Sequence, residues 1–209
     1  MVSPGQPAAP SGPAPSLLVV LSGPSGVGKD AVIERMKERA LPFHYAVTAT
    51  TRPRRPSERE GVDYCFLSEE DYDRLLAEGA FLEHAHVYQH RYGVPKAPLR
   101  QALAEGRDVI VRTDVQGADT IRRLVPEAVL VFLAPPSGEE LERRLSSRRT
   151  DSPQARRLRL ETARQEMARA ADFEYVVTNE TDRLDQTVDR LLAIVAAEKA
   201  RAGRQPVRL

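Results

Sequence analysis

The chain has 209 residues, of which 41% are hydrophobic, so it is long enough for one α/β domain with insertions around a real core. Its 31 basic and 30 acidic side chains leave a net charge of +1. No global field therefore attracts nucleic acid or a membrane, and any basic site must be local. The single cysteine, Cys65, excludes a disulfide framework within the chain and favours a reducing cytoplasm. No apolar run approaches the length of about 18 residues that predicts a transmembrane helix.

The first segment, residues 1–16, contains five prolines and no large apolar cluster, which predicts a disordered or extended tail. It also lacks the basic start and the long apolar centre of a signal peptide. An apolar run then predicts a buried strand at residues 17–21. A helical pattern extends to about Ala40, and a glycine-rich stretch separates the strand from the helix.

The glycine-rich stretch consists of Gly23, Pro24, Ser25, Gly26, Val27, Gly28, Lys29 and Asp30. Its spacing, G-x-x-x-x-G-K between a strand and a helix, is that of a phosphate-binding loop. Backbone N–H groups and the positive end of the helix face phosphate oxygens in such a loop, and Lys29 adds a mobile positive charge. The alternative is a glycine-rich turn with a surface lysine. It requires the spacing of the motif and its position between a strand and a helix to have arisen together by chance.

The middle of the chain, residues 46–95, has a different pattern of short strands and proline-containing turns. The prolines at 53 and 56 exclude a helix interior there. Ser68, followed by three acidic residues, is a typical helix N-cap. The predicted elements are strands at 46–51, 62–67 and 81–87, with a helix from Ser68 to about Glu78. This composition indicates a small β-rich insertion between two halves of a sheet.

Beyond residue 95, strands alternate with helices, and each strand is a continuous apolar run. That alternation predicts an α/β fold with a parallel sheet covered on both faces. The predicted strands are 108–111, 129–133 and 175–177, and the predicted helices are 95–105, 115–124, 137–147, a further helix to about 170, and 184–195. Residues 143–159 hold seven arginines and one acid. The basic end, residues 201–209, is expected to fray.

Several motifs occur in a fixed order along the chain: GPSGVGK (23–29), TTRPRR (50–55), DY (63–64), FLEHA (81–85), YG (92–93), DVQGA (114–118) and VTNE (177–180). From about Leu17 to Ala200 the chain resembles the guanylate kinase family. The resemblance implies a P-loop kinase with a five-stranded parallel sheet flanked by helices, a β-rich GMP-binding insertion and an arginine-rich lid. The implied boundaries are core at 17–45, 96–146 and 163–200, GMP-binding domain at 46–95, and lid at 147–162.

The resemblance also implies a reaction, the transfer of the γ-phosphoryl group of MgATP to GMP (and dGMP), giving ADP and GDP. The attacking phosphate oxygen is already anionic, so no protein general base is needed, and catalysis must come from alignment and charge stabilisation. The implied catalytic residues are Lys29, Arg52, Arg148 and Arg159. The implied ATP contacts are residues 23–30, Arg144 and Asn179.

The implied GMP contacts are Thr48, Arg52, Arg55, Tyr64, Glu83, Tyr92 and Asp114. Arginine forks and tyrosine hydroxyls suit the acceptor phosphate, although a solvated basic turn beside two core tyrosines is the alternative. Guanine has two adjacent donors that the Glu83 carboxylate can accept, and adenine lacks that arrangement. Taken alone, Glu83 could equally be a surface glutamate on a strand. Val94 departs from the family, which usually has Ser or Thr there to donate to the guanine carbonyl.

The arginine-rich lid would close over the phosphates, exclude water and so suppress hydrolysis of ATP. Arg149 replaces a usual glycine of this lid, which predicts a stiffer hinge. The alternative is an exposed basic helix that contacts RNA. That alternative is disfavoured because the arginines lack interleaved aromatic residues and the rest of the chain is neutral, so we expect no nucleic-acid partner.

Two departures from the family occur as a pair. Asp30 stands where the loop pattern has Ser or Thr to reach Mg²⁺, and Arg112, at the end of the strand 108–111, stands where the family usually has an acid. The two positions lie side by side near the metal in loop NTPases. We therefore predict an Asp30–Arg112 ion pair, which would relieve repulsion between Asp30 and ATP. Direct ligation of Mg²⁺ by Asp30, or unrelated changes, are the alternatives.

Two other functions remain open from the sequence. A different small-molecule kinase could use the same core, although the motifs at 50–55 and 81–85 favour GMP. A guanylate-kinase-like binding module that has lost catalysis is the second, and Asp30, Arg112 and Val94 are the departures that favour it. The complete glycine loop with its lysine argues against such a loss.

Overall fold

The computed structural model of the protein describes residues 14–87, 89–146 and 153–209. Most of the predicted tail and the first part of the predicted lid, with Arg148 and Arg149, lie outside these ranges. Within them the strands are β1 (Leu18–Ser22), β2 (Phe43–Tyr45), β3 (Ala49–Thr50), β4 (Cys65–Phe66), β5 (Phe81–Val87), β6 (His90–Pro95), β7 (Asp108–Arg112), β8 (Val129–Ala134) and β9 (Tyr175–Thr178). The helices are α1 (Lys29–Glu38), α2 (Glu69–Ala77), α3 (Lys96–Ala104), α4 (Val115–Leu124), α5 (Gly138–Ser146), α6 (Pro153–Ala168) and α7 (Leu184–Ala200), with a 3₁₀ turn at Arg169–Asp172. No helix of this described part is long and apolar enough to cross a membrane.

A five-stranded parallel sheet forms the centre of the molecule, and this prediction is confirmed. The strand order is β2-β7-β1-β8-β9, and every neighbouring pair is parallel. In β1, Leu18 and Val20 belong to the core on the side of α3 and α4. Val19 and Leu21 belong to the core on the side of α1 and α7. The central strands are therefore covered on both faces, which explains their continuous apolar runs.

The sequence pattern does not single out the edge strand β2. Phe43, His44 and Tyr45 are all half-buried, so three residues give no clear alternation of polar and apolar side chains. The strand is fixed by its pairing with β7, in which Phe43 lies opposite Asp108 and Tyr45 lies opposite Ile110. Tertiary pairing rather than local propensity determines this element.

A second, four-stranded sheet is built from the residues between β2 and α3, in the order β4-β3-β6-β5. Its neighbouring strands are antiparallel except for the pair β3–β4. Ser68 caps α2 as predicted, because its hydroxyl accepts a hydrogen bond from the Asp71 N–H at 3.0 Å. Tyr72 of α2 stacks on Phe81 of β5 with ring centroids 4.7 Å apart. Strand β5 also packs against α4, which brings the second sheet next to the carboxyl end of β7.

The basic end, residues 201–209, is held against the core at Arg204, Val207 and Leu209, contacts that the prediction of a frayed end does not include. Val207 and Leu209 pack against the core on the side of α3 and α4, and the Leu209 carbonyl accepts a hydrogen bond from α3 at 2.9 Å. Arg204 Nη1 donates to Glu198 Oε2 at 2.5 Å. Glu198 belongs to α7 and is only 4% exposed, so its charge requires a cation. The basic composition of residues 201–209 does not show that one of these arginines pairs with a buried glutamate of α7.

We expect Arg204→Ala to lower the free energy of unfolding by about 2 to 3 kcal/mol, because Glu198 would remain buried without its main cation. Arg201, at 3.6 Å from Glu198, would compensate only in part. Arg208→Ala is the matched control, since Arg208 is exposed. Urea-induced unfolding followed by circular dichroism measures both, and equal small losses would contradict a specific role for Arg204.

Candidate active site

A cleft of about 710 Å³ lies where the ends of β1 and β7 face the second sheet and α6. The carboxyl ends of parallel strands are where ligands bind in open α/β sheets. The predicted site residues that line the cleft are Pro24, Ser25, Gly26, Val27, Gly28, Lys29, Asp30, Thr48, Tyr64, Glu83, Tyr92, Asp114 and Arg159. The lining residues that the sequence did not assign as contacts are Ala31, Ala85, Arg112, Thr113, Leu158, Thr162 and Glu166. One cavity thus joins the glycine loop to most of the predicted acceptor site.

The glycine loop has the backbone shape that phosphate binding requires. Gly28 has a φ of 101°, and a Cβ at this position would lie 2.5 Å from the Asn179 side-chain nitrogen. Both the conformation and the close contact therefore require glycine. Helix α1 begins at Lys29, within the last residues of the loop, so its N-terminal N–H groups lie at the cleft. The positive end of the helix dipole favours an anion there.

Lys29 lies across the loop. Its Nζ donates to the carbonyl oxygens of Gly23 at 2.5 Å and Pro24 at 3.2 Å. Burial lowers the pKa of Lys29 from 10.5 to about 8, against the opposing effect of the nearby Glu166 carboxylate. A phosphate placed beside this amine would favour the charged form and raise its pKa again. Lys29 therefore remains mostly charged at neutral pH, and an anionic ligand would stabilise that charge further.

Arg144 and Asn179 lie behind the loop rather than in the cleft. Arg144 Nη1 and Asn179 Nδ2 both donate to the Val27 carbonyl oxygen, at 3.0 and 2.8 Å. Glu140 in turn accepts from Arg144 Nε at 2.7 Å, and Thr187 donates to Asn179 Oδ1 at 3.1 Å. These bonds support the loop from the rear. The contact of either residue with ATP stays a prediction.

Arg112 forms an ion pair with Asp30, so the pairing predicted from the two departures is confirmed. The pair joins the first turn of α1 to the end of β7, and both residues line the cleft. The Asp30 side chain is 75% exposed, whereas that of Arg112 is 32% exposed. Burial lowers the pKa of Arg112. The carboxylate beside the loop is thus matched by a cation and still accessible from the cleft.

Glu83 of β5 and Asp114 at the start of α4 line the same cleft as Lys29, and the charge of Asp114 acts on both Glu83 and Lys29. Asp114 caps α4, because its Oδ1 accepts from the Gly117 N–H at 2.8 Å. Glu83 is 8% exposed, and its Oε1 accepts from the Thr113 hydroxyl at 3.3 Å. Burial and, to a smaller extent, the charge of Asp114 raise the pKa of Glu83 to about 7. This carboxyl group can therefore change its charge close to neutral pH.

The aromatic and arginine residues predicted to hold the acceptor phosphate cluster on the second sheet. The rings of Tyr64 and Tyr92 have centroids 6.2 Å apart, and the Arg52 guanidinium lies 5.3 Å from the centre of the Tyr64 ring. Arg52 Nη2 also donates to Glu58 at 2.7 Å. Neither Arg52 nor the exposed Arg55 lines the cleft. An incoming phosphate would have to share Arg52 with Glu58.

Position 94 belongs to the core and not to the cleft. Val94 is 1% exposed and packs in the same cluster as Leu82 and Val115. It pairs with Glu83 across β5 and β6, yet it is absent from the cleft lining. The hydroxyl donor that the family resemblance leads one to expect at this position is therefore replaced by an apolar side chain within the core.

Helix α6 contributes a carboxylate that sequence reasoning missed. Arg159, Thr162 and Glu166 all line the cleft. Their spacing of three and then four residues places them on one face of a helix. The prediction that Arg159 belongs to the site therefore also implied that Thr162 and Glu166 face it. Glu166 Oε2 accepts from the Ser25 N–H at 3.0 Å, and burial raises the pKa of Glu166. The hydrogen bond ties α6 to the glycine loop.

Comparison with known proteins agrees with this geometry. The family model described as guanylate kinase matches residues 16–198. The chain is 48% identical over 187 residues to a guanylate kinase of Thermus thermophilus, covering 90% of this chain and 84% of that protein. It is 45% identical over 183 residues to the guanylate kinase of Thermobifida fusca, covering 88% of this chain and 92% of that protein.

A solved structure extends the comparison to the fold. The crystal structure of guanylate kinase from Anaplasma phagocytophilum matches with a TM-score of 0.72 and 32% sequence identity, covering 92% of this chain and 90% of that chain. The matches in sequence and in structure both span most of the residues that build the sheet and the cleft. The chain therefore belongs to the guanylate kinase family.

Proposed function

We propose that the protein transfers the γ-phosphoryl group of ATP to GMP or dGMP, giving ADP and GDP or dGDP. The observation that carries this proposal is the single cleft, which is lined both by a phosphate-binding loop with Lys29 and by the buried Glu83 carboxylate. Two nucleotides bound end to end would place their phosphates between these groups. The names of the relatives in the guanylate kinase family support the same reaction.

Phosphoryl transfer here requires no protein base, because the attacking oxygen of GMP is anionic. The chain's contribution is to align two phosphates and to stabilise the charge that spreads between them. Lys29 and the loop N–H groups would bind the outer phosphates of ATP, and Arg159 from α6 would approach the same region. Arg52, Tyr64 and Tyr92 would bind the GMP phosphate. Arg148 lies outside the described residues and stays a prediction.

The base of GMP would be selected by Glu83 with Asp114. An ionised Glu83 accepts from N1–H and from the exocyclic amine of guanine, which adenine cannot offer in that arrangement. A site built around such donors rejects a base that leaves its polar groups unpaired. Thr48, which lines the same cleft, supplies a hydroxyl for a further contact with the base.

Mg²⁺ would enter with ATP, and the cleft residues fit an ion carried mainly by phosphates. Within the described ranges, no group of three or more His, Cys, Asp and Glu side chains could hold a metal ion. Mg²⁺ commonly keeps several waters and takes one or two carboxylates besides substrate phosphates. Asp30, exposed beside the loop and paired with Arg112, would be the carboxylate that contacts it. The ion would neutralise charge on the outer phosphates of ATP.

A coupled assay of ADP formation with purified protein, ATP and Mg²⁺ tests the proposal directly. We expect turnover with GMP and little with AMP, CMP or UMP. Mass spectrometry of the products should identify GDP. A clear preference for another monophosphate would replace the proposal by a different kinase on the same core. Absence of GMP-dependent turnover with any divalent metal would favour a binding module instead.

We expect the KM for GMP to rise as the pH falls below about 7, by about tenfold per pH unit at the acid limit. The reason is that the pKa of Glu83 is raised to about 7, so acid protonates the free site and removes an acceptor for the base donors. Glu83→Gln should show a high KM throughout, with only the pH dependence that the phosphate of GMP itself brings, since the second pKa of a phosphate monoester is about 6. A KM for GMP that stays flat from about pH 5.5 to about pH 8 in the wild type would contradict the assignment of Glu83.

A further inference from the structure

Thr113 is a polar residue of the cleft that none of the assigned contacts explains. It lies between Arg112 and Asp114, after the end of β7, and it is 9% exposed. Its hydroxyl donates to Glu83 Oε1 at 3.3 Å, which links the end of β7 to β5 across the cleft wall. A buried hydroxyl requires a hydrogen-bond partner, and here that partner is the carboxylate proposed to select the base.

The surroundings of Thr113 hold the hydroxyl in place. Helix α4 passes close to it at Gly117, where a Cβ would lie 2.0 Å from Thr113 Oγ1 and 3.1 Å from Glu83 Oε2. Glycine at this position lets the helix backbone close over both side chains without displacing either. Thr113, Glu83 and Gly117 therefore form one packed unit, and its geometry depends on all three.

The same region lacks the hydroxyl donor expected at position 94, because Val94 is a buried core residue. The titratable group that acts on Glu83 from a neighbouring element is Asp114, at the start of α4. The phenol of Tyr72 in α2 also faces Glu83, whose charge helps to raise the pKa of Tyr72. Asp114 favours the protonated form of Glu83, whereas the Thr113 hydrogen bond favours the ionised form. Thr113 is thus the group that opposes protonation of this carboxyl.

We propose that Thr113 is a specificity-determining residue, whose hydroxyl holds the Glu83 carboxylate in the orientation that accepts both N–H donors of a 2-amino-6-oxopurine. This inference rests on the proposed function of the cleft. Thr113 acts through Glu83 and positions it for the base. Without the hydroxyl, Glu83 would still be present, but it would be free to rotate and easier to protonate, so purines that lack the 2-amino group would be rejected less strongly.

The experiment compares Thr113→Val, which keeps the shape and removes the hydroxyl, with Thr113→Ser, which keeps the hydroxyl. We expect Thr113→Val to raise the KM for GMP about tenfold with kcat at saturation nearly unchanged. The preference for GMP over IMP should fall by a similar factor, and the acid limb of the KM profile should move to higher pH. Thr113→Ser should stay close to the wild type. Thr120→Val, which removes a threonine hydroxyl of α4 that bonds only within its own helix, is the control.

Two results would overturn the inference. If Thr113→Val leaves both the pH profile and the GMP/IMP ratio unchanged, the hydroxyl serves only packing, whatever happens to the melting temperature. If Thr113→Ser is as impaired as Thr113→Val, the hydroxyl is not the responsible group. Binding of GMP and IMP measured by calorimetry keeps this test separate from the proposed function, because it requires no turnover by any of the proteins.

Discussion

Lys29→Met is expected to lower kcat for GMP-dependent ADP formation by about a thousandfold or more, with a smaller effect on the KM for GMP. The substitution removes the one amine that lies across the glycine loop, where charge develops on the transferred group. The fold should persist, because methionine fills a similar volume and the amine is largely desolvated, with its pKa lowered to about 8. A coupled assay with saturating ATP and GMP measures the loss.

Lys37→Met is the matched control. Lys37 belongs to the same helix, and its exposed ion pair with Glu34 spans 3.7 Å, so its removal should change kcat by less than about twofold. Thermal melting should show both variants folded. If Lys29→Met kept more than a tenth of the wild-type kcat, the proposed charge stabilisation by the loop lysine would be wrong. The cleft would then have to act through its arginines alone.

The features that the sequence predicts well are those set by residues close together in the chain. The glycine loop, the apolar strands of the sheet and the Ser68 cap each depend on a local pattern, and the structure contains all three. Helix α4 begins and ends at the predicted residues, Val115 and Leu124, because Asp114 caps it and an apolar stripe continues to its end. Local chemistry and tertiary packing favour the same structure at these positions.

The features that sequence reasoning missed depend on contacts between distant parts of the chain. Glu166 meets Ser25 across 141 residues, and Thr113 meets Glu83 across 30. The end of the chain is held against the core partly by Arg100 of α3, whose side chain donates to the Leu209 carbonyl across 109 residues, and no local pattern indicates that partner. Such contacts become predictable only when a helix face or a strand register is already known.

Two predicted ATP contacts have a further role that the sequence does not indicate. Arg144 and Asn179 both donate to the Val27 carbonyl behind the loop, so they also support the shape of the loop. Their contact with ATP stays a prediction.

Arg112→Asp is expected to lower kcat/KM for ATP by about a hundredfold, because it would place a second carboxylate beside Asp30 at the loop that binds phosphates. Adding Asp30→Ser should recover at least about tenfold of this loss, since the double variant has a single acid on β7 and a hydroxyl on the loop, the arrangement usual in loop kinases. Asp30→Ser alone should have a milder effect, because the remaining Arg112 cation does not repel phosphate. Steady-state kinetics of the wild type, the two single variants and the double variant give the coupling free energy between Asp30 and Arg112.

The control for charge reversal is Arg39→Asp, which breaks an exposed ion pair with Asp189 away from the cleft and should leave kcat/KM for ATP nearly unchanged. Additive losses in the double variant would show that Asp30 and Arg112 act independently. Asp30 would then be assigned to the metal, and the Asp30→Ser variant should need more Mg²⁺ for half its maximal rate. Non-additive losses with an unchanged Mg²⁺ requirement would instead mean that Asp30 and Arg112 act as a pair. In that pair Arg112 neutralises an acidic residue that would otherwise repel the bound phosphates.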